Sequence, residues 1–260
     1  MIDLHCHVLP GLDDGPPDVD AAVMVARLAA ADGTRTMVAT PHIREDYPFD
    51  LDLIAERTDA VSERLGQEGV ELGVVTGGEV GLSILSQLSE GDLERVCLGT
   101  SRSLLVESPY QEATDTVEDT LFNLQVRGFH PVLAHPERSP SFMKDPDRLE
   151  TIVERGILCS VTAASMAGRF GRTVQRFSRV MFERGLVHDV ASDAHDIRKR
   201  APGLTAGFRL LDQQLPGVLE RMDWFTRDVP TAILEERPLP ARPQLEPPRG
   251  RLLGALRRRS

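Results

Sequence analysis

Residues 1–15, MIDLHCHVLPGLDDG, contain the pattern that decides both the fold and the chemistry of this chain. Side chains alternate between the two faces of a strand, so His5 and His7 project to one side while Cys6 points to the other. Pro and Gly residues in the loop at 9–15 break regular structure, and its two aspartates can turn back toward the imidazoles. Nitrogen and carboxylate ligands together suit Mn, Fe or Zn better than Ca or Mg, which favour all-oxygen shells. The stretch therefore predicts a strand that leads into a metal site.

The same arrangement, a polar residue directly after an apolar strand, recurs along the chain. The later ligand candidates, each with its predicted strand, are His42 after 34–40, Glu79 after 70–75, His135 after 131–134, and Asp193 and His195 after 186–191. A single histidine is more often a surface or core residue than a ligand, but recurrence at equivalent positions indicates a shared site. His130 and His188 lie before or at the start of their strands, which favours a structural or surface role.

Predicted strands and helices alternate throughout the sequence. Further strands are predicted at 103–107 and 157–161, and helices at 18–32, 52–69, 83–88, 114–127, 146–155, 173–184, 204–215 and 217–225. This alternation is typical of an α/β fold whose strands pair in parallel through right-handed crossovers. In a parallel barrel the carboxyl ends of all strands share one face, so the distant ligand candidates converge there. The pattern leaves open whether seven or eight strands close the barrel.

The composition narrows the classes of function. The chain has 260 residues, a length that one α/β barrel commonly reaches, with 41% hydrophobic and 27% charged residues. Its net charge of -10 argues against nucleic-acid binding, which usually requires a basic face. The cysteines, Cys6, Cys97 and Cys159, are widely spaced and favour a reducing compartment over a disulfide framework. Without an apolar run long enough for a transmembrane segment and without a signal segment, we expect a cytoplasmic protein.

The C-terminal part of the chain differs in composition from the rest. We predict a single domain over residues 1–237 and a flexible Pro/Arg-rich tail over 238–260. Six arginines and one glutamate follow Pro240, a local charge of +5. This charge suits a weak contact with an anionic partner or membrane surface, and disorder without a function is the alternative.

Six motifs, in order, resemble those of a known superfamily. They are DLHCH at 3–7, LPGLDDG at 9–15, TPH at 40–42, GGEV at 77–80, AHPER at 134–138 and ASDAH at 191–195. They are similar to the motifs of the PHP (polymerase and histidinol phosphatase) superfamily. The PGLDDG loop, the chain length and AHPER favour its CpsB/CapC-type branch, the metal-dependent protein-tyrosine phosphatases of bacterial capsule and exopolysaccharide systems. The resemblance covers residues 1–237 and implies a distorted TIM-like (β/α)7 barrel of the PHP type in one domain.

The resemblance also implies three divalent metal ions, with manganese favoured and iron or zinc as alternatives. The implied ligands are His5, His7, Asp193 and Glu79 for the first ion, Glu79, His42 and His135 for the second, and Asp14 and His195 for the third. We expect the neighbouring carboxylate of Asp13 to orient the loop, and substitution of Asp14 to reduce turnover more than substitution of Asp13.

Two arginines, Arg138 and Arg200, match family positions that engage phosphate, and guanidinium groups bind phosphate oxygens through charge-assisted hydrogen bonds. A solvated or salt-bridged loop arginine is the alternative, especially for Arg200, which lies in the basic run 198–200. Arg44, close behind His42, is a weaker candidate. Neighbouring metal ions neutralise the charge of a phosphomonoester and convert a bound water to hydroxide, the nucleophile for in-line attack.

These features favour a metal-dependent phosphomonoester hydrolase. The preferred hypothesis is a protein-tyrosine phosphatase that acts, through a metal-activated hydroxide, on a bacterial tyrosine kinase of capsule or exopolysaccharide synthesis; the kinase is implied by the resemblance alone. A phenolate, with a pKa of about 10, leaves with less protonation than an alkoxide, which favours aryl phosphates. The alternatives are a small-molecule phosphoesterase for histidinol phosphate or a nucleotide, and a metal-stabilised regulatory module without catalysis. A cysteine-dependent mechanism is excluded because no cysteine is followed by arginine at the sixth position.

Overall fold

The apolar runs of the sequence form strands, and the amphipathic runs between them form helices. The computed structural model describes residues 1–47, 49–108 and 117–245. Within these ranges the strands are β1 (Ile2–Cys6), β2 (Thr36–Ala39), β3 (His42–Ile43), β4 (Gly73–Thr76), β5 (Glu79–Gly81), β6 (Ser103–Glu107), β7 (His130–Ala134), β8 (Leu158–Thr162) and β9 (Asp189–Ala191). The helices are α1 (Val19–Asp32), α2 (Leu51–Gln67), α3 (Glu90–Arg95), α4 (Val117–Val126), α5 (Pro140–Lys144), α6 (Pro146–Glu154), α7 (Ala163–Met166), α8 (Arg172–Glu183), α9 (Thr205–Asp212) and α10 (Val229–Leu234). Turns of 3-10 helix occur at Pro136–Arg138 and Leu219–Arg221, and a π-helical turn at Trp224–Asp228.

The strands of this α/β domain pair in parallel within two sheets. One sheet has the order β1-β2-β4, and the other has the order β3-β5-β6-β7-β8-β9. Breaks at residues 40–41 and 77–78 separate β2 from β3 and β4 from β5. A Cβ atom on Gly77 would lie 2.8 Å from Val38 Cγ1, and one on Gly78 would lie 3.0 Å from Val96 Cβ. The close approach of these neighbours favours glycine where the chain passes from one sheet to the other.

Strand β1 also contacts the chain that follows β9. The amide of Asp193 donates to the carbonyl of His5 at 2.8 Å, and the amide of His7 donates to the carbonyl of Ala194 at 2.8 Å. Cys6 and Ala194 form a parallel bridge between these donors. The hydrogen bonds hold β1 beside β9, and the ligand candidates at the two strand ends lie together as a result.

Buried side chains of the strands form much of the core. Most of the predicted helices are observed in the structure. Leu4, Leu105 and Val132 have no solvent exposure. The helix predicted at 18–32 is confirmed as α1, in which Asp18 accepts a hydrogen bond from the amide of Ala21 at 2.8 Å. The helix predicted at 114–127 is observed as α4, and its first three predicted residues lie outside the described residues.

Two predicted helices differ from the structure. Residues 83–88 form turns instead of a helix, and α3 begins after them. Ser89 and Asp92 cap α3 reciprocally, since each backbone amide donates to the other side chain at 3.1 Å. This capping box, three residues apart in the sequence, marks the true start of the helix. The helix predicted at 217–225 is observed only from residue 219, as a 3-10 turn, two α-helical residues at 222–223 and the start of the π-helical turn.

The tail predicted over 238–260 is described only as far as residue 245. In that part, the guanidinium carbon of Arg242 lies 4.8 Å from the centre of the Trp224 ring, and its Nη1 donates to the carbonyl of Val187. Residues 246–260 lie outside the described residues, and the flexibility of the tail stays a prediction. Among the helices that the structure describes, none is long and apolar enough to cross a membrane.

Candidate metal centre

The predicted ligands come together at the ends of strands and just after the two breaks between strands. His5 lies in β1, His42 in β3 and Glu79 in β5, while His7 and Asp14 follow β1, His135 follows β7, and Asp193 and His195 follow β9. Ligand atoms within 4.8 Å of one another form four overlapping groups: His5, His7 and Asp193; His5, Glu79 and His135; His42, Glu79 and Glu107; and His7, Asp14, His42 and His195. We call these nine residues the ligand cluster. All of them except Asp14 are buried.

The best-defined part of the ligand cluster consists of His5, His7, Glu79 and Asp193. The two histidine Nε2 atoms are 3.2 Å apart, and each lies 3.3 Å from Glu79 Oε2 and 3.5 Å from Asp193 Oδ1. Four ligands at 2.0–2.2 Å from a tetrahedral ion would be about 3.4 Å apart, so these spacings fit one cation. Glu79 Oε2 and Asp193 Oδ1 are buried and accept no well-formed hydrogen bond from the described residues. A bound cation would satisfy both oxygens.

Glu79 also contacts a second part of the ligand cluster, which includes a residue that the sequence analysis missed. Glu79 Oε1 lies 2.7 Å from His135 Nε2, and Glu79 Oε2 lies 3.0 Å from His42 Nδ1. Glu107, the last residue of β6, is buried and shares a group with His42 and Glu79. It follows the apolar run 103–106 just as the other candidates follow theirs, and that signal is present in the sequence. The ligand candidates were taken from the residues that follow each predicted strand. Glu107 was assigned to the strand itself, so it was not among them.

The most exposed part of the ligand cluster lies around Asp14. Its Oδ1 is 3.2 Å from His195 Nε2 and 3.7 Å from His42 Nε2, and its side chain is 45% exposed. The ligand sets implied by the resemblance place His42 and His135 on the same ion. In the structure, His42 groups with Asp14 and His195 and separately with Glu79, whereas His135 belongs to a different group with Glu79.

A hydrogen bond to the side chain of Asp13 holds His42 beside the 9–15 loop. Its Oδ2 is 2.6 Å from His7 Nδ1 and accepts a hydrogen bond from the amide of His42 at 3.0 Å, while its Oδ1 accepts one from the amide of Gly15 at 2.9 Å. Burial acts to raise the pKa of Asp13, but the hydrogen bond and charge of His7 outweigh it and lower the pKa to about 2. The contacts fit a carboxylate that orients the loop and the imidazole of His7.

Two members of the ligand cluster adopt backbone conformations that are uncommon for residues with a Cβ atom. The φ angle is 37° at His135 and 52° at Asp193. A non-glycine residue in this left-handed region costs about 1–3 kcal/mol, and such residues concentrate at functional sites. Both residues lie within two positions of a strand end. The sharp change of direction brings each side chain back to the ligand cluster.

Neighbouring side chains keep the two central carboxylates, Asp193 and Glu79, charged. Burial acts to raise the pKa of Asp193, but Arg138 and His5 outweigh it and hold the pKa well below its usual range. Burial also opposes the ionisation of Glu79, but the interactions with His5 and His135, which include a hydrogen bond from His135, outweigh it and hold the pKa well below the usual range. Charged carboxylates are the form that binds metal ions.

Burial keeps two of the imidazoles neutral. It lowers the pKa of His135 to about 4, with a further contribution from Arg138, and that of His195 to about 2, with a further contribution from His7. Burial acts in the same direction on His7, but Asp13 and other carboxylates outweigh it and raise the pKa of that imidazole well above its usual value. A cation bound at His7 would take the place of the proton that these carboxylates attract.

Both predicted phosphate-binding arginines reach the ligand cluster. Arg138 contacts Asp193 Oδ2 and donates to Thr162 Oγ1 at 3.2 Å. Arg200 Nη2 lies 2.6 Å from the same Asp193 oxygen, and its Nη1 donates to His195 Nε2 at 2.8 Å. The Arg138 side chain is 7% exposed and that of Arg200 is 28% exposed. Two guanidinium groups beside one carboxylate of the cluster are well placed to bind an anion.

The remaining candidates have other partners. Arg44 pairs with Glu107 at 2.8 Å and contacts the ligand cluster through that residue. His188 Nδ1 accepts a hydrogen bond from the amide of Cys159 at 3.2 Å, and burial lowers its pKa to about 3. His130 is exposed at the start of β7. The cysteines are buried and free, which fits core residues better than reactive thiolates.

The chain is similar to a family of known proteins along most of its length. It matches the family model described as capsular polysaccharide synthesis, CpsB/CapC, over residues 1–234. It is 35% identical over 201 residues to the tyrosine-protein phosphatase YwqE of Bacillus subtilis, covering 77% of this chain and 79% of that protein. It is 26% identical over 218 residues to the tyrosine-protein phosphatase CpsB of Streptococcus agalactiae serotype III, covering 81% of this chain and 89% of that protein.

A solved structure agrees with these sequence matches. It comes from crystal structures of YwqE from Bacillus subtilis and CpsB from Streptococcus pneumoniae, described as unique metal-dependent tyrosine phosphatases. The superposition has a TM-score of 0.83 at 31% sequence identity and covers 95% of this chain and 100% of the other. The fold is therefore shared along nearly the whole of both chains.

Proposed function

The chain belongs to the CpsB/CapC family, and we propose that it is a metal-dependent phosphomonoester hydrolase that acts on phosphotyrosine in proteins. The observation that carries this proposal is the ligand cluster, whose buried carboxylates and imidazoles lie beside Arg138 and Arg200. The tyrosine-phosphatase activity named for the relatives YwqE and CpsB supports the same reaction.

We assign three divalent cations to the ligand cluster, with manganese favoured and iron or zinc as alternatives. Their proposed ligands are His5, His7, Asp193 and Glu79 for the first and Asp14, His42 and His195 for the third. For the second we propose Glu79 with His135 and Glu107, which belong to different groups but each group with Glu79. Mixed nitrogen and carboxylate donors support these metals over calcium or magnesium. The cluster also contains four carboxylates, whose negative charge divalent ions would offset.

The protein's own side chains bind and orient the substrate in this proposal. Divalent cations, when bound, neutralise phosphoryl oxygens and lower the pKa of water so that hydroxide is available near neutral pH. Arg138 and Arg200 donate charge-assisted hydrogen bonds to the remaining oxygens and fix the orientation of the phosphoryl group. Asp193, which contacts both guanidinium groups, keeps them in position. A tyrosine phenolate, with a pKa of about 10, needs little help from a general acid to leave.

We further propose that the strands form a distorted TIM-like barrel of the PHP type with seven strands, in a domain over 1–237. Seven results if β2 with β3, and β4 with β5, each count as one interrupted strand. The hydrogen bonds of His5 and His7 to the chain after β9 support closure between the first and last strands. The family match, which extends to residue 234, supports the domain boundary and a separate tail.

The proposed partner is a bacterial tyrosine kinase of capsule or exopolysaccharide synthesis, and the proposed location is the cytoplasm. The family is described as taking part in capsular polysaccharide synthesis, and this supports a partner from the same process. The free, buried cysteines support a reducing compartment.

A direct comparison of substrates tests the proposed reaction. With the purified, metal-loaded protein, we expect kcat/KM to be higher for a phosphotyrosine peptide than for histidinol phosphate. A higher value for histidinol phosphate would contradict a protein substrate and favour a small-molecule phosphoesterase. Failure to hydrolyse either compound, with circular dichroism showing an intact fold, would favour a regulatory module without catalysis.

A further inference from the structure

An apolar cavity opens directly beside the exposed part of the ligand cluster. It has a volume of about 140 Å³ and lies between the start of α1 and the segment after His195. Asp14 and His195 form its edge toward the cluster. The rest of the wall is mainly apolar and includes Pro16, Pro17, Ala21, Met24, Val25 and Ile197, with one further charged residue, Asp196.

We propose that this cavity holds the phenyl ring of phosphotyrosine; the inference rests on the proposed function. Asp14 and His195 belong both to the ligand cluster and to the cavity wall, so the two sites are continuous. In this proposal, the phosphoryl group binds at the ligand cluster with its ester oxygen toward the cavity. The phenyl ring, which is attached to that oxygen, then enters the cavity.

The size and polarity of the cavity match a single aromatic ring. Pockets for drug-sized ligands measure about 300–1,000 Å³, so a cavity of about 140 Å³ suits one side chain. The mainly apolar wall offers few hydrogen-bond partners to the hydroxyl of a small polar phosphoester, and burying that group there is unfavourable. Met24 is 47% exposed at the cavity, and its thioether gains favourable contact with a bound ring.

Hydrogen bonds hold the two walls of the cavity in place. On one side, Asp18 caps α1 by accepting from the amide of Ala21 at 2.8 Å. On the other, the Asp196 carboxylate accepts from the amides of Arg198 at 2.5 Å and Lys199 at 2.6 Å, which fixes the turn that contains Ile197. A preformed cavity avoids the cost of ordering a loop when substrate binds.

Two phosphonates that resist hydrolysis separate the role of the ring from the role of the phosphoryl group. We expect the metal-loaded protein to bind phenylphosphonate about 10-fold or more tightly than methylphosphonate, measured by calorimetry. The Ala21→Leu variant fills the cavity from a helix position that tolerates leucine, and it should abolish this preference without weakening methylphosphonate binding. The Ala31→Leu variant makes the same change at an exposed position of α1 and should keep the preference.

Hydrolysis of a phosphotyrosine peptide distinguishes failure of this inference from failure of the proposed function. Equal affinities for the two phosphonates, or an unchanged preference in Ala21→Leu, would overturn the inference while wild-type hydrolysis upholds the function. Absence of hydrolysis by the metal-loaded wild type would overturn both. If Ala21→Leu does not fold, Met24→Gln at the exposed rim provides the second test, and it should reduce the preference by about 3-fold or more.

Discussion

Asp189 and Asp193 lie four residues apart and are both buried, but the pKa values of their carboxyl groups shift in opposite directions. Burial raises the pKa of Asp189 to about 8, although a hydrogen bond with Ser160 partly opposes it. The pKa of Asp193 is held well below its usual range in spite of burial. Equal burial therefore does not give two carboxyl groups the same charge.

The neighbouring charges account for the difference. Asp193 belongs to the ligand cluster, where Arg138 and His5 stabilise its anionic form. Asp189 in β9 and Asp3 in β1 are two buried aspartates that interact electrostatically, and we call them the acidic pair. Burial raises the pKa of Asp3 as well. The ligand cluster stabilises charged carboxylates. The acidic pair favours neutral carboxyl groups in the core. The two regions make different predictions for matched substitutions.

The largest effect is expected from removing charge in the ligand cluster. Glu79→Gln leaves the shape of the side chain but removes the negative charge of a residue that belongs to two of the four cluster groups and also lies beside His7. We expect kcat/KM for a phosphotyrosine peptide to fall about 10³-fold or more, since losing cation-based stabilisation costs several kcal/mol. Asp189→Asn makes the same kind of change in the acidic pair and should alter kcat/KM by less than about 2-fold. A comparable loss in Asp189→Asn would break the distinction between the regions.

The arginines beside Asp193 are expected to give the next largest effect. Arg138→Met should lower kcat/KM about 10²-fold, because a charged donor to the phosphoryl oxygens is lost. Arg200→Met should have a smaller effect, since its side chain is 28% exposed against 7% for Arg138. Steady-state kinetics on phosphotyrosine peptide measure both. A larger loss in Arg200→Met would reverse the assignment of Arg138 as the main phosphate-binding residue.

Adjacent aspartates in the 9–15 loop provide a finer comparison. Asp14→Asn removes an exposed carboxylate that we propose as a ligand, and it should lower turnover about 10-fold to 100-fold with little effect on unfolding. Asp13→Asn should lower turnover less but reduce the free energy of unfolding by about 1–3 kcal/mol, since it disturbs a buried contact with His7. Steady-state kinetics on both variants measure the loss of turnover, and urea titration measures the loss of stability. The opposite pattern would show that Asp13 is the ligand.

The acidic pair should affect stability in a pH-dependent manner rather than activity. The raised pKa of Asp189 means that the folded protein holds a proton that the unfolded chain releases above pH about 4. Stability from this group is therefore lost as pH rises from about 4 to about 8, with a slope of up to about 1.4 kcal/mol per pH unit. Asp189→Asn should flatten that slope in urea unfolding at pH 5, 6.5 and 8. An unchanged slope would show that Asp189 is charged in the folded state.

The ligand candidates were predictable because each lies shortly after an apolar run of the sequence. His42, Glu79 and His135 are examples, and the structure brings all three into the ligand cluster. Glu107 was missed because the strand pattern itself extends to that residue. The grouping of His42 with Asp14 depends on the break between β2 and β3 and on the hydrogen bond to Asp13, which no sequence spacing reveals.

Local structure was less predictable where segments are short. Residues 83–88, SILSQL, contain apolar residues at spacings that fit a helix, but six residues are too few to form a stable one without capping. The helix begins instead where Ser89 and Asp92 form a capping box. The direction of the pKa shifts at Asp189 and Asp193 was also inaccessible, since it depends on the neighbours that folding brings together.

Metal dependence is the central claim, and a metal titration tests it most directly. Protein stripped of metal by a chelator should keep its circular dichroism spectrum, lose phosphotyrosine hydrolysis, and regain it as Mn is added. Elemental analysis should show Mn bound in proportion to the recovered activity, with less bound by Glu79→Gln than by Asp189→Asn. Full hydrolysis by the stripped protein, or equal metal content in the two variants, would contradict the account.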